Sequence, residues 1–409
     1  MTPVIWKMAQ NKYPVAVYCF NPTYDLKRDY RLAFLRKNGI RIRYIFDECH
    51  QVLGPTHYIN RMVNKSCFAL VNEMNRLPNV LSRLISPVQK RLKNFGKNLF
   101  RSARKKFYHT SWALSVLKKT DAKVICFDHV KPKRSIVRIF LDAANEKEIP
   151  TIALPHGVFI YTNRFVRIGS AEDSRYDKFN RFDFILTQNQ LRKEVLSNAG
   201  VDADKIAVLG CACYCSEWIA QNRMIVPRTM KARHASPDKL KVVFMTTRFA
   251  YRIDVDRMLK TFDLLSKTVG IDVVVKPHTR TGKEATTYDD MPLANVADIS
   301  SVELCEWAEV ILVIGSSILI ESLEQRKPVL YLKYLHENIT QYEEYEACWT
   351  INDENELVKA LSTLRRNPKK MPYTEENVDK FLAEIIYGGR EKRDVLGDYQ
   401  KFIVAQASH

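Results

Sequence analysis

The sequence predicts an α/β protein with two domains, each built on a doubly wound parallel sheet. Three observations support this prediction. The chain has 409 residues, which is long enough for two domains that each bury a core. Short apolar runs rich in β-branched residues alternate with helical patterns along most of the chain, as they do in βαβ units. Residues 211–238 lose this periodicity and contain two prolines, which is typical of a linker.

The first half of the chain is predicted to form a parallel sheet with one helical insertion. Strands are predicted at 13–20, 40–46, 122–127, 151–154, 182–187 and 205–209. Helices are predicted at 26–37, 135–146 and 188–199. Residues 56–120 have a helical pattern instead, and Pro78 and Pro87 are expected to interrupt it because proline removes a backbone donor.

The second half repeats the alternation of strands and helices. Strands are predicted at 240–246, 271–275, 310–314 and 326–332, and helices at 318–324 and over the tail from 375 to 407. The predicted domains are therefore 1–215, with the insertion at about 56–120, and 239–385, with a linker at 216–238. A C-terminal helix at 386–409 is expected to pack back on the first domain.

Composition indicates a soluble, cytoplasmic protein. Apolar residues make up 46% of the chain, no run of 18 apolar residues occurs, and the N-terminal residues lack the apolar stretch of a signal peptide. The nine cysteines are expected to be free thiols. Cys211, Cys213 and Cys215 alternate with other residues and do not have the spacing of a zinc site, so they are expected to pack structurally.

The net charge of +18 is concentrated in one region, because residues 83–119 contain eleven Lys or Arg and no Asp or Glu. Apolar residues recur there at helical spacing, at Val88, Leu92, Phe95 and Leu99. The other faces of this helix carry Lys90, Arg91, Lys93, Lys97, Arg101 and Arg104. A basic amphipathic helix is typical of contact with an anionic membrane surface or another polyanion. The alternative is a solvated helix whose apolar stripe packs on the core. No nucleic-acid-binding motif is evident, so nucleic acid is not an expected partner.

Two short motifs at strand ends predict a phosphate site in the second domain. Lys276-Pro277-His278 and Gly315-Ser316-Ser317 each follow a buried-strand pattern, and ligands of doubly wound sheets bind beyond the carboxyl ends of strands. The serine hydroxyls can cap a helix or donate to phosphate oxygens. Glu321, one helical turn further on, can accept hydrogen bonds from a ribose. Arg248 follows the strand at 240–246 and is a further candidate cation.

The first domain supplies the candidates for acid–base chemistry. His156 follows the strand at 151–154 and precedes Gly157, which allows the backbone to turn. A histidine titrates near neutral pH, so His156 is the candidate general base, and Asp128 is expected to orient it or to act as the base. The chain has no Walker or dinucleotide-binding motif. Two Asp-x-Asp pairs are interpreted as structural, so no metal cofactor is expected.

Two α/β domains, a linker and a phosphate motif in the second domain are typical of the GT-B glycosyltransferase architecture, in which two Rossmann-like domains face a central cleft. The order His156-Gly157, Lys276-Pro277-His278 and Ser316-Ser317 with Glu321 resembles a bacterial group of such enzymes. The group contains CDP-glycerol glycerophosphotransferases of teichoic acid synthesis, and capsule and O-antigen transferases that use cytidine-linked donors. Here proline precedes His278, whereas the group usually has His-Pro.

The resemblance implies transfer of a sugar or polyol phosphate from a nucleotide-activated donor, CMP- or CDP-linked, to a surface glycan. The acceptor would be a glycan or lipid-linked precursor of capsule, lipopolysaccharide O-antigen or teichoic acid, at the inner face of the plasma membrane. Whether the reaction inverts or retains configuration stays open. The alternatives are a UDP-sugar GT-B transferase, a UDP-sugar 2-epimerase, or a basic scaffold that binds a polyanion or lipid.

Overall fold

The computed structural model of the protein describes residues 1–22, 24–74, 79–128, 135–155, 157–158, 160, 176–229, 238–278, 288, 291–390 and 393–408. All strand pairs in these ranges are parallel, in three sheets of two, four and six strands. Helices connect most consecutive strands. The predicted α/β class is therefore confirmed. None of the helices in the described ranges combines the length and the apolar composition needed to cross a bilayer.

The first part of the chain contains two of the sheets. Its elements are α1 (Thr2–Gln10), β1 (Ala16–Cys19), α2 (Tyr30–Lys37), β2 (Arg41–Tyr44), α3 (His50–Met74), α4 (Asn79–Phe107), α5 (Thr110–Thr120), β3 (Ile125–Asp128), α6 (Ser135–Glu146), β4 (Thr151–Leu154), β5 (Phe184–Thr187), α7 (Gln190–Asn198), β6 (Ile206–Val208) and α8 (Ser216–Ile225). Strand β1 pairs with β2, and β3 to β6 pair in sequence order. Apolar residues of the four-stranded sheet and of α5 and α6 share one core, in which Trp112 and Phe182 are fully buried. Burial of such side chains is the main stabilising contribution to this part of the fold.

The second part contains the six-stranded sheet. Its elements are β7 (Leu240–Met245), α9 (Val255–Lys267), β8 (Ile271–Lys276), β9 (Ala294–Asn295), α10 (Ser301–Trp307), β10 (Val310–Val313), α11 (Leu319–Glu324), β11 (Val329–Leu332), α12 (Gln341–Glu344), β12 (Trp349–Ile351), α13 (Glu354–Arg366), α14 (Glu375–Tyr387) and α15 (Val395–Ala407). The spatial order is β9-β8-β7-β10-β11-β12. This is the order of a Rossmann sheet, and it reverses direction between β7 and β10. The carboxyl ends of these two strands therefore border the crevice in which such sheets bind ligands.

Several elements of the structure differ from the sequence predictions. Pro87 lies inside α4 and does not end it, whereas residue 78 lies outside the described residues. Helix α1 was not predicted. The predicted linker contains α8, because Trp218 packs against Trp6 and buries one side of that helix. The sequence of α8 has no clear helical repeat of apolar residues, so its hydrophobic pattern does not predict a helix.

The C-terminal helices connect the two parts of the chain. Helix α15 packs against α1, and the Tyr399 hydroxyl donates to the Gly210 carbonyl at 3.0 Å. The Cys211 amide donates to the Ile386 carbonyl at 2.7 Å. On the cleft side, the Asn189 side chain donates to the Gln341 side chain at 3.4 Å. These contacts fix the end of β6 and the segment after it against the second part of the chain.

Candidate functional site

The two predicted phosphate motifs and the candidate cation Arg248 lie at the carboxyl ends of three adjacent strands. Arg248 follows β7, Lys276 ends β8, and Ser316 and Ser317 follow β10. Because β7 lies between β8 and β10 in the sheet, these residues are brought to one edge. This edge includes the reversal point between β7 and β10, which is where doubly wound sheets bind ligands. In the sequence, Arg248 and Ser316 are separated by three strands, β8, β9 and β10, and by two helices, α9 and α10.

Arg248 has a donor without a partner. Its Nε atom is buried, and no described residue accepts a hydrogen bond from it. Since an unpaired buried donor is unfavourable, natural proteins seldom leave one without a ligand, water or functional reason. Its position directly at the reversal point makes a bound anion a suitable acceptor.

Lys276 is less available than the sequence suggested. It is buried, and its Nζ atom donates to the Ala297 carbonyl. Burial lowers the pKa of Lys276, and Asp298 opposes this shift. His278 lies two residues beyond β8 and is half-buried. The lysine thus stabilises the neighbouring backbone, and His278 is the more accessible side chain of this motif.

The serine motif follows β10 through Gly315, whose φ of +54° favours glycine. The Ile318 amide lies 3.5 Å from the Ser316 side-chain oxygen, as in a capping contact. The Ser317 hydroxyl lies 3.2 Å from the hydroxyl of Tyr214. The two adjacent serines therefore have different partners, and Ser317 contacts the segment that follows β6.

Glu321 lies one turn further along, in α11, and it is buried with 4% of its surface exposed. Its Oε1 atom has no hydrogen-bond partner among the described residues. Burial raises the pKa of Glu321 to about 7, with Glu306 adding to the shift and Arg223 opposing it. An unpaired buried carboxyl oxygen is suited to accept hydrogen bonds from ligand hydroxyl groups.

Sequence analysis did not identify the residues that surround Glu321. Tyr214 and Tyr30 are both near enough for the carboxylate to contribute to their raised pKa values, although burial is the main cause in each case. The Tyr30 hydroxyl donates to the Asn222 side chain at 3.0 Å. These residues come from α2, α8 and the segment before α8, so no local pattern links them to Glu321.

The first-domain candidates are only partly described. Asp128 ends β3, and its register partner in β4 is Leu154, two residues before His156. The Asp128 side chain is 45% exposed and lies 4.0 Å from the amino group of Met1. His156 itself lies outside the described residues. Its role as a general base and that of Asp128 therefore stay predictions.

The predicted basic helix is present as α4. Its cations Lys90, Arg91, Lys93 and Lys97 are exposed, and none of them has an ion-pair partner among the described residues. The side chains of Arg101 and Arg104, also in α4, lie outside the described part. The apolar stripe is only partly covered, since Val88 is 53% and Phe95 is 55% exposed.

The described residues contain no cluster of three or more histidine, cysteine or acidic side chains that could hold a metal ion. Cys211 and Cys215 are buried, and Cys213 is half-buried. All three thiols are free.

Known structures resemble the chain over its whole length. UDP-GlcNAc 2-epimerase from Neisseria meningitidis, bound to UDP-GlcNAc, is 14% identical with a TM-score of 0.52, covering 99% of this chain and 95% of the epimerase. The S. aureus MnaA–UDP complex is 12% identical with a TM-score of 0.50, covering 100% and 94%. The wall teichoic acid polymerase TagF matches 73% of this chain with a TM-score of 0.40, which does not establish a common fold. No family model and no curated protein sequence matches the chain.

The two full-length matches extend across both halves of the chain. They confirm the predicted α/β architecture of two Rossmann-like domains. At this level of identity they show the fold alone.

Proposed function

We propose that the chain binds a nucleotide-activated sugar at the carboxyl edge of the six-stranded sheet and transfers the sugar, or a polyol phosphate, to a glycan acceptor. One observation carries this proposal: the buried Nε of Arg248, which has no hydrogen-bond partner in the described part of the chain, follows β7 at the reversal point of the sheet, and Ser316-Ser317 follows the paired strand β10. A cationic donor, two hydroxyls and a strand-end crevice together suit a phosphate group.

The proposed reaction divides the work between the two domains. The acceptor hydroxyl oxygen attacks the donor carbon, or the phosphorus when a polyol phosphate is transferred, and His156 takes its proton. The bond to the leaving phosphate oxygen breaks at the same time, and Arg248, His278 and Ser317 stabilise the charge that develops there. Glu321 accepts hydrogen bonds from the ribose. No metal ion is required in this scheme.

The donor is proposed to be cytidine-linked on the motif resemblance, and the acceptor to be a precursor of capsule, O-antigen or teichoic acid. A second candidate is a UDP-sugar 2-epimerase or UDP-sugar transferase. It is favoured by the full-length similarity to an epimerase bound to UDP-GlcNAc and to MnaA bound to UDP. The two candidates share the phosphate site and differ in nucleobase and in acceptor.

Thermal unfolding with saturating CMP, CDP, UDP or GDP tests the site. A ligand at about 100 times its Kd stabilises the fold by roughly 2.7 kcal/mol, which raises the unfolding temperature by several degrees. We expect a shift with cytidine nucleotides that is lost in His278→Ala and kept in His109→Ala, an exposed histidine of the first domain. A shift with uridine nucleotides alone would favour the second candidate. No shift with any nucleotide would contradict the proposed phosphate site.

The reaction type needs its own measurement. Release of free nucleotide that depends on an added glycan acceptor, followed by mass spectrometry, supports transfer. Inversion at carbon 2 of a UDP-sugar without an acceptor, followed by NMR, supports the epimerase. If neither occurs although nucleotide binds, both enzymatic proposals fail and the non-catalytic scaffold is favoured.

We also propose that the α3–α4 hairpin contacts an anionic membrane surface. Apolar side chains of α3 are exposed as well as those of α4, at Tyr58, Ile59, Met62, Val63 and Leu70. Exposed apolar groups next to unpaired cations suit the boundary between lipid headgroups and acyl chains. Each cation near an anionic surface contributes about 1 kcal/mol to binding.

Cosedimentation with lipid vesicles tests this contact. The protein should bind vesicles that contain phosphatidylglycerol and not vesicles of phosphatidylcholine alone, with binding that weakens as salt is added. A variant with Lys90→Ser, Arg91→Ser, Lys93→Ser and Lys97→Ser should lose most of the binding. Adding Ile59→Ser and Met62→Ser should weaken it further. Four matched Lys→Ser changes in the second domain, at Lys241, Lys260, Lys267 and Lys369, should have little effect. Equal losses in both sets would show a non-specific charge effect and overturn the proposal.

A further inference from the structure

We infer that Tyr214 is a positioning residue of the donor site, which acts on the donor phosphate through Ser317. This inference rests on the proposed function. It extends the site beyond the second domain, because Tyr214 belongs to the segment between β6 and α8. Nothing in its local sequence, a run of alternating cysteines, indicates contact with a phosphate.

The contact is direct. The Tyr214 hydroxyl lies 3.2 Å from the Ser317 side-chain oxygen, and either group can be the donor. The Glu321 carboxyl is close enough to contribute to the raised pKa of Tyr214, whose main cause is burial. Tyr214 therefore contacts the proposed phosphate residue Ser317 and lies near the proposed ribose residue Glu321.

The backbone around Tyr214 is held on both sides. Before it, the Cys211 amide donates to the Ile386 carbonyl at 2.7 Å. After it, the hydroxyls of Ser216 and Tyr387 lie 2.8 Å apart. Gly210 has a φ of +86°, and a Cβ there would lie 2.4 Å from the Ile386 carbonyl oxygen. This segment is therefore packed closely against the end of α14, which fixes the starting point of the Tyr214 side chain.

The role of Tyr214 follows from the single proton that the Ser317 hydroxyl can donate. A serine hydroxyl has one proton, which can be directed either to Tyr214 or to a ligand. When the Tyr214 hydroxyl donates to Ser317, the serine proton is free to donate to a phosphate oxygen. Hydrogen bonds in such a chain polarise one another and strengthen the terminal bond. Tyr214 thus orients Ser317 as a donor toward the phosphate.

Isothermal titration of wild type and Tyr214→Phe with CMP, CDP and cytidine tests this role. The phenylalanine variant keeps the ring and should bind CMP and CDP about three- to tenfold more weakly. Its affinity for cytidine, which has no phosphate, should not change. Tyr387→Phe is the matched control, because it removes a hydroxyl that bonds another serine in the same region without contacting Ser317.

A double-mutant cycle separates positioning from packing. In a Ser317→Ala background, Tyr214→Phe should cause little further loss of CMP affinity, since its partner is already absent. Additive losses, an equal loss for cytidine, or unchanged CMP affinity in Tyr214→Phe would each overturn the inference. If wild type binds no nucleotide at all, the proposed function fails and the inference fails with it.

A second measurement does not depend on the folding of the phenylalanine variant. With 3-fluorotyrosine in place of Tyr214, the fluorine NMR signal should move further when CMP is added than when cytidine is added. The same response to both ligands, or no response to CMP, would contradict a link between this hydroxyl and the phosphate.

Discussion

Glu321→Gln is expected to be more stable than wild type by about 3 kcal/mol near pH 8 and by less than about 1 kcal/mol near pH 5. The reason is the raised pKa of Glu321, which burial brings from its ordinary value of 4.5 to about 7. Between about pH 4.5 and 7, Glu321 keeps its carboxyl proton in the folded protein, whereas the unfolded chain has already released it. The favourable contribution of Glu321 is therefore complete below about pH 4.5 and is lost as the pH rises through about 7. Glutamine resembles the protonated form and does not have this loss.

Unfolding midpoints measured across this pH range, in wild type and variant, check the prediction. Stability must be compared between the two proteins at each pH, because the titration of His336 changes the stability of both in the opposite direction. Burial, with the nearby Lys333, lowers the pKa of His336 to about 4, so its stabilising contribution is lost as the pH falls below its unfolded value. His336→Gln should thus gain stability relative to wild type at low pH, and it serves as a control of opposite sign. A pH-independent difference between wild type and Glu321→Gln would show that Glu321 titrates normally.

Glu321 also connects stability with ligand binding. Ribose hydroxyls that donate to its unpaired Oε1 would favour the carboxylate and lower its pKa. Nucleotide binding near pH 7 should therefore release a proton. Titrations in buffers with different ionisation enthalpies detect this release, which should disappear in Glu321→Gln.

Arg248→Ala is expected to weaken CMP and CDP binding by about ten- to a hundredfold without destabilising the free protein. Hydrogen bonds to charged groups contribute about 1.5–3 kcal/mol, which accounts for the expected loss. The free protein should not be destabilised, since the buried Nε of Arg248 has no partner in the described structure and its removal relieves an unsatisfied donor.

Titration calorimetry and thermal unfolding of the same samples measure both effects. Arg365→Ala is the matched control, because it also removes one arginine. The Arg365 side chain donates to the Val269 carbonyl, which lies near the amino end of β8, at the opposite edge of the sheet. Cytidine should bind Arg248→Ala and wild type equally. Weaker binding of all three ligands, or a large drop in the unfolding temperature of free Arg248→Ala, would assign Arg248 a structural role.

The strands of this protein could be located from the sequence because their signals are local. Buried parallel strands need continuous apolar residues, and the runs at 271–275 and 310–314 have them, so the motifs that follow were correctly placed at strand ends. The strand at 151–154 agrees with the prediction for the same reason, and the helix at 135–146 agrees because its apolar residues recur at helical spacing. The predicted boundaries were less accurate at 13–20, of which only Ala16–Cys19 is strand, because apolar residues continue past both ends of the strand.

Tertiary structure decided what surrounds each predicted side chain. The sequence indicated Lys276 as a phosphate contact, but packing directs its ammonium group to the Ala297 carbonyl. Arg248 and Ser317 follow neighbouring strands only because β7 pairs with β10, which lies far from it in the sequence. Tyr214 contacts Ser317 because segments that are far apart in the sequence pack together. The raised pKa of Glu321 likewise depends on the residues that bury it. Sequence periodicity reports which residues are apolar, whereas burial, pairing and pKa depend on which surfaces pack together.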